Sequence, residues 1–295
     1  MPPSAPPRAI RWDPQPEPVL ARGDWDSHDA LNPSVVVKDG VYYNFYSGYD
    51  GKAWHTGLAT SGDGIAWRKQ GRVLSPDAAT WEGDYIAANG GALVVQGEFF
   101  YWYHAGPRER PQVGLARSRD GRQWRKEPRP VLSAGPRGSW DERGVADPYA
   151  IQVDGVFYLY YLGQDRARRQ RLGVARSLDG LRWEKLRTNP ILEDENGLGE
   201  PAVWKSHGRY WMLYTARASN EQRRLGLAQS RDGVVWEKLP GMYAGSQAWN
   251  SQVLCDPTVV VAGDRVRVWF GGGDAASPDE NLHGQIGLAT LAFNF

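Results

Sequence analysis

The sequence predicts an all-β protein, a five-bladed β-propeller, and three observations lead to it. First, the phrase Ser-x-Asp-Gly-x-x-Trp occurs four times, and each copy follows Gly-[Leu/Val]-Ala. Second, the repeats start 53 to 61 residues apart, which suits a four-stranded blade and is too long for ankyrin or tetratricopeptide units. Third, a fifth start runs into the C-terminus. The starts are Gly57, Gly114, Gly173, Gly226 and Gly287.

The N-terminus carries the piece that the fifth repeat lacks. Complete copies continue from the Trp to a short apolar pair such as Val73-Leu74, and Trp12 is followed in the same way by Val19-Leu20. We therefore expect residues 9–20 to form the outer strand of the last blade and to close the ring without a free edge. Residues 1–295 are predicted to form one domain, with blades starting near residues 25, 83, 141, 195 and 250.

Composition and charge exclude several classes of partner. The net charge is +1, so no global field attracts nucleic acid or an anionic membrane. No run of residues approaches a membrane span, and the N-terminus lacks the apolar core of a signal peptide. These features predict a cytoplasmic protein, although a removed signal peptide would leave the same sequence. The single cysteine, Cys255, excludes an internal disulfide and is expected in the core. The oligomeric state is not predicted.

Two polar features are expected to be structural. The Asp-Gly of each repeat supplies a hairpin turn in which Gly takes a positive φ and Asp accepts bonds from nearby backbone amides. The arginines at 166, 168, 169 and 171 lie between two strand patterns, where a solvated loop tip is the expected reading and a phosphate site the alternative.

The first strand of each unit begins with a polar residue that breaks the symmetry. First strands of a propeller line the central channel, so these residues should converge, and three carboxylates in one concave site raise at least one pKa. Local capping of each strand is the competing interpretation; it is disfavoured for Asp147 and Glu200 and left open for Asp256. The leading residues are Asn32, Asn89, Asp147, Glu200 and Asp256.

With these motifs the chain resembles the five-bladed propeller glycosidases, that is, glycoside hydrolase families 43, 32, 68, 117 and 130. The resemblance covers essentially the whole chain. It implies a glycoside hydrolase in which Glu200-Pro201 supplies the general acid and Asp147-Pro148 tunes its pKa and holds the sugar. The base of family 43 would occupy the place of Asn32, and an amide cannot deprotonate water.

Several groups could replace the missing base. Asp29 ranks first, and Asp26 and Asp256 are the other carboxylates that could reach the site. The substrate itself, or phosphate as in family 130, could also supply the nucleophile, although Asn89-Gly90-Gly91 replaces the Asp-Pro-Arg of that family. A phosphorylase, a propeller that only binds carbohydrate and a channel reused for another reaction therefore stay open as alternatives.

Aromatic and histidine side chains complete the predicted site. Trp25, Trp81, Trp140 and Trp249 recur at one offset and are expected to pack between strands. No His/Cys spacing predicts zinc and no cofactor is expected, while a channel calcium stays open. The predicted substrate contacts, beside the leading residues, are Trp54, His55, Tyr85 and His104.

Overall fold

The computed structural model describes residues 7–294, which form β-strands throughout apart from one short 3-10 helix, Ala248–Asn250. The described strands form three sheets of eight, nine and four strands. Single short parallel contacts join neighbouring groups of antiparallel strands in the two larger sheets, and we number these groups, together with the four-stranded sheet, in chain order as units 1 to 5. Within residues 7–294, no helix reaches the length and apolarity that a bilayer crossing requires.

Unit 1 contains β2 (Asp29–Leu31), β3 (Val35–Lys38), β4 (Val41–Tyr49), β5 (Trp54–Ser61) and β6 (Arg68–Leu74). Unit 2 contains β7 (Ile86–Val95), β8 (Glu98–Ala105), β9 (Gln112–Ser118) and β10 (Arg125–Lys126).

Units 3 to 5 follow the same order of strands. Unit 3 contains β11 (Gly144–Val153), β12 (Val156–Gln164), β13 (Gln170–Ser177) and β14 (Glu184–Lys185). Unit 4 contains β15 (Leu198–Ser206), β16 (Arg209–Arg217), β17 (Arg223–Ser230) and β18 (Trp236–Tyr243). Unit 5 contains β19 (Val253–Ala262), β20 (Arg265–Gly273) and β21 (Gln285–Asn294), together with the N-terminal strand β1 (Ala9–Pro14). The parallel contacts between units are those of β5 with β7 and of β17 with β19.

The N-terminal strand pairs with the C-terminal one. The register of β1 on β21 is antiparallel and runs from Ala9 opposite Asn294 to Pro14 opposite Ala289. Val19 continues the contact by donating its amide to the Ile286 carbonyl at 2.8 Å. In this position β1 covers the edge that β21 would otherwise expose.

The repeated Gly-[Leu/Val]-Ala has a packing reason. A Cβ built on Gly57, Gly114 or Gly226 would lie 2.3 to 2.7 Å from the ring of a buried tyrosine on the neighbouring strand. These tyrosines are Tyr46, Tyr103 and Tyr214. Because a protein interior is close-packed, only glycine leaves room for the ring at these positions.

The four Asp-Gly turns share one set of contacts, which confirms their structural role. Each turn glycine has a φ between 72° and 77° and donates its amide to the serine Oγ at 2.9 Å. Each aspartate accepts from the two amides that follow the glycine, at 2.8 to 2.9 Å. Bonds from the Ile65 and Ala66 amides lower the pKa of Asp63 to about 2, as expected for a carboxylate held by donors.

The recurrent tryptophans also pack between strands, as expected. Trp25 lies against Gly48 and Gly57, and Trp140 lies against Gly163 and Gly173. After three of the four tryptophans comes a buried carboxylate that binds a lysine of its own unit, whereas Asn250 follows Trp249. Asp26 pairs with Lys69, Glu82 with Lys126 and Asp141 with Lys185, each at 2.5 Å.

Candidate active site

The five leading residues lie at irregular points of the first strands and share one unusual backbone conformation. Their φ angles lie between 45° and 51°, the left-handed region that non-glycine residues avoid. In units 2 to 5 the pairing register shifts at this position, and in unit 1 Asn32 separates β2 from β3, which both pair with β4. Bulges of this kind redirect a side chain, and here all five residues line the same cavity, of about 260 Å³. We call Asn32, Asn89, Asp147, Glu200 and Asp256 the bulge residues.

The side chains of Asn89 and His104 lie beside the Asp147 carboxylate. Asn89 Nδ2 donates to Asp147 Oδ1 at 3.4 Å, and His104 Nδ1 lies 3.7 Å from the same oxygen. Ser47 fixes Asn89 in turn: its hydroxyl donates to Asn89 Oδ1 at 2.8 Å and accepts from the backbone amide of Asn89 at 2.9 Å. The side chain of Asp147 is 12% exposed, and its carboxylate lines the cavity.

Glu200 lies deeper and has one free oxygen. Its Oε1 is 3.6 Å from Arg217 Nη2, while Oε2 is buried and has no hydrogen-bond partner in the described residues. A buried carboxylate oxygen without a donor is costly to a folded protein, so the position favours a partner from outside the chain.

Asp256 is nearly inaccessible to solvent. Burial raises the pKa of Asp256 well above its usual range, and the neighbouring charge of Glu200 raises it further. Its Oδ2 accepts from the Cys255 thiol at 3.0 Å and from the Asn32 amide at 3.3 Å. Cys255 is buried and has no disulfide partner, so it is a core side chain as expected.

A segment of unit 5 crosses the cavity. We call residues 274–284, between β20 and β21, the strap. Arg108 binds Asp279 at 2.9 Å and Glu280 at 3.1 Å, and the Tyr85 hydroxyl donates to Glu280 at 3.1 Å. The carbonyl of Pro278 accepts from two further arginines of unit 4, at 2.7 and 2.9 Å. The strap therefore joins units 2 and 4 above the bulge residues.

Asp29 occupies a different place from the one expected of a catalytic base. It is fully buried, and its two oxygens accept from the strap amides of Asn281 at 2.6 Å and Gly284 at 2.8 Å. Burial raises the pKa of Asp29 although these bonds oppose the shift. Asp29 does not line the cavity, and Asp26 does not line it either, because its carboxylate faces Lys69. Both carboxylates hold structural contacts.

The predicted substrate contacts divide into two groups. Trp54, Tyr85 and His104 line the cavity. His55 does not: its Nε2 lies 3.1 Å from Asp50 and its Nδ1 lies 2.9 Å from Ser75, on the other side of the strand from the site. Alternation along the strand accounts for the different placements of Trp54 and His55, since adjacent residues face opposite sides.

Sequence reasoning missed the arginines of the cavity. Five of them line it, and each belongs to a strand end or loop that no repeat motif marks; their only sequence signal was the short Arg-rich stretch that includes Arg168. Within residues 7–294 no cluster of three histidine, cysteine or acidic residues is arranged to hold a metal ion. The arginines are Arg108, Arg143, Arg168, Arg217 and Arg223.

Comparison with known proteins gives the family. Residues 31–199 match the model of the glycosyl hydrolases family 32 N-terminal domain, which spans more than half of the chain. The chain belongs to this family. The resemblance to propeller glycoside hydrolases seen in the sequence is thereby confirmed.

Relatives of this glycosyl hydrolase domain widen the comparison. An uncharacterized protein of Mycobacterium tuberculosis is 28% identical over 228 residues, which are 70% of this chain and 75% of that protein. A 1,2-beta-oligomannan phosphorylase of Thermoanaerobacter is 31% identical over 124 residues, 37% of this chain and 42% of that enzyme. A structure from the family 130 mannoside phosphorylases, described as containing glycoside hydrolases that target beta-1,2 mannosidic linkages in Candida mannan, has a TM-score of 0.75 at 17% identity. The match covers 97% of this chain and 95% of that structure, and at this identity it shows only that the two share the propeller fold.

Proposed function

We propose that the chain is a five-bladed propeller enzyme that cleaves a glycosidic bond of a carbohydrate bound in the cavity. The five antiparallel units and the pairing of β1 with β21 support the blade number and the closed ring. The observation that carries the reaction is the meeting of Asp147, Glu200 and Asp256 in one cavity, on bulges that turn all three side chains the same way.

In the proposed mechanism Glu200 is the general acid. Burial and the neighbouring charge of Glu200 raise the pKa of Asp256. Glu200 presents a proton to the departing oxygen, because its Oε2 has no partner within the described chain, whereas Asp256 Oδ2 is bound by Asn32 and Cys255. Arg217 and Arg223 stabilise the negative charge that remains on the Glu200 carboxylate after it has donated its proton.

Asp147 is the second carboxylate of the reaction. Its hydrogen bond from Asn89 and its proximity to His104 fix one oxygen and leave the other for a sugar hydroxyl or a water. The packing of Asp29 and Asp26 disfavours both as bases. Trp54 and Tyr85 supply apolar ring surface beside the carboxylates, the combination that sugar rings need.

The test is turnover of aryl glycosides and oligosaccharides by the wild-type protein and by Glu200→Gln. A general acid contributes about 10²–10⁴-fold, so the variant should lose that much rate on oligosaccharides. It should lose much less on aryl glycosides whose leaving group needs no proton, and the alkaline limb of the pH profile should disappear. Equal losses on both substrate classes would contradict the acid role of Glu200.

The matched control is Glu195→Gln, five residues earlier, where the side chain is exposed and lies outside the cavity. This variant should keep wild-type rates on every substrate. If neither the wild type nor any variant turns over a substrate that the wild type binds, the binding alternative replaces the enzyme.

Phosphorolysis is a second candidate. The match to the Thermoanaerobacter phosphorylase and the arginines of the cavity favour it. Running the same panel with and without inorganic phosphate separates the two reactions, because a phosphorylase requires phosphate and releases a sugar phosphate.

A further inference from the structure

The wall of the cavity contributed by unit 3 presents hydrogen-bond donors. Arg143 precedes β11, Gln164 ends β12, Arg168 lies in the following loop and Gln170 begins β13. The segment is ordered by its own backbone, since the Arg143 amide donates to the Gln164 carbonyl at 2.9 Å and Gln164 Nε2 donates to the Arg168 carbonyl at 3.4 Å. Two cationic groups are thus held on one side of the site.

The arginines of the cavity differ in whether the chain provides their acceptors. Arg108 binds two strap carboxylates, Arg217 lies near Glu200 and Glu221, and Arg223 donates to strap carbonyls. Across residues 7–294, neither Arg143 nor Arg168 forms an ion pair. The Nε of Arg143 is moreover buried without an acceptor in that part of the chain.

The nearby carboxylates are already engaged by other arginines. Glu142 binds Arg166 at 3.1 Å, and Asp165 binds Arg171 at 2.6 Å. Glu109 also lines the cavity, yet it pairs with neither Arg143 nor Arg168 in the described chain. Of the four arginines in this loop, Arg166 and Arg171 form ion pairs, whereas Arg168 is exposed and also lines the cavity.

We propose that Arg143 and Arg168 form a subsite for an oxyanion, so that the cavity prefers a substrate carrying an acidic group. A sugar carboxylate suits two guanidinium groups because each can offer paired N–H donors to two oxygens. Inorganic phosphate bound as a co-substrate would use the same chemistry. This inference rests on the proposed function for the identity of the ligand as a carbohydrate.

The experiment measures binding by calorimetry in the Glu200→Gln variant, so that no turnover is needed. The probes are D-glucuronate and D-galacturonate, their neutral counterparts D-glucose and D-galactose, and sodium phosphate alone, at one ionic strength. We expect at least one uronate to bind more tightly than its neutral counterpart. Replacing Arg143 or Arg168 by Gln should weaken that binding about 10-fold or more and leave neutral sugars unchanged.

Arg187→Gln is the matched control, because Arg187 belongs to unit 3, is exposed and lies outside the cavity. Arg168 is also exposed, so its variant is expected to keep the fold. If phosphate alone binds with the same dependence on both arginines, the subsite stands and its ligand is the free anion. Anion binding that neither substitution weakens, or no anion binding at all, overturns the subsite.

The failure of this inference is distinguishable from failure of the enzyme. Turnover of neutral glycosides with a KM that Arg143→Gln does not change would refute the subsite and leave the glycosidase intact. Arginine-dependent binding of a uronate by a wild-type protein that turns over no substrate would support the subsite and refute catalysis.

Discussion

The four Asp-Gly turns and the five bulge residues both recur once per unit, but they differ in what recurs. In the turns the residue types, the φ angles and the hydrogen-bond lengths are the same in every copy. At the bulges the φ angle is the same, while the side chain and its partners differ from unit to unit. Repetition of a whole contact set indicates scaffold, and repetition of the backbone alone leaves each side chain available for a separate task.

The bulge conformation explains how one architecture holds five different groups. A non-glycine residue in the left-handed region costs roughly 1–3 kcal/mol and persists only where the surroundings enforce it. Here the following residue is Pro or Gly in every unit, and the strands on both sides of the bulge stay paired. The strain is therefore independent of the side chain, so an Asn, an Asp and a Glu can occupy equivalent positions.

The largest effect on stability is expected from deleting residues 1–13, which removes most of β1. The deletion exposes the edge of β21 and removes Trp12. The ring centroid of Trp12 lies 4.7 Å from that of Tyr243, on which it stacks, and 5.7 Å from that of Phe270. Loss of a packed tryptophan alone costs about 3–5 kcal/mol. Thermal unfolding should therefore show a sharply lower melting temperature.

The point variants Trp12→Ala and Arg11→Ala provide the comparison for the deletion. Trp12 packs against Tyr243 of unit 4 and Phe270 of unit 5, whereas Arg11 on the same strand is exposed. Trp12→Ala should reproduce part of the loss and Arg11→Ala almost none. An unchanged melting temperature after deletion would remove the structural role of β1.

A change of pH is expected to have a smaller effect on stability, with opposite signs at the bulge residues and at the Asp-Gly turns. Burial and the charge of Glu200 raise the pKa of Asp256, so its contribution to stability is complete below about pH 3.9 and is lost as pH rises through the folded pKa. Bonds from the Val235 and Val234 amides lower the pKa of Asp232 in a turn, so its contribution is present above about pH 3.9 and is lost as pH falls.

Free energies of unfolding of Asp256→Asn and Asp232→Asn, measured from pH 3 to pH 8, test this contrast. Asp256→Asn should lose less stability than the wild type as pH rises above 4, and Asp232→Asn should lose less than the wild type as pH falls below 4. The same pH response in both variants would mean that the two regions do not differ in their electrostatics.

The repeated features of the molecule could be predicted from the sequence, whereas most of the unrepeated contacts could not. The glycines, the turn aspartates and the leading residues recur at fixed offsets, so their places could be predicted. The contacts of the strap could not, because Arg108 and Asp279 are 171 residues apart and no motif relates them. The same reason hid the role of Asp29: its nearness to Asn32 along the chain suggested the cavity, whereas its partners lie more than 250 residues away.

The smallest effect is expected from Asp29→Asn, and it separates the two readings of this residue. Asparagine keeps one acceptor oxygen, so one of the strap amides of Asn281 and Gly284 loses its partner, at about 1–3 kcal/mol. Unfolding should therefore occur at a lower denaturant concentration, while turnover falls only a few-fold as the strap loosens. Asp24→Asn, an exposed neighbour, should change neither quantity. A catalytic base would instead lose about 10²–10⁴-fold in rate with little change in stability, and that result would return Asp29 to the reaction.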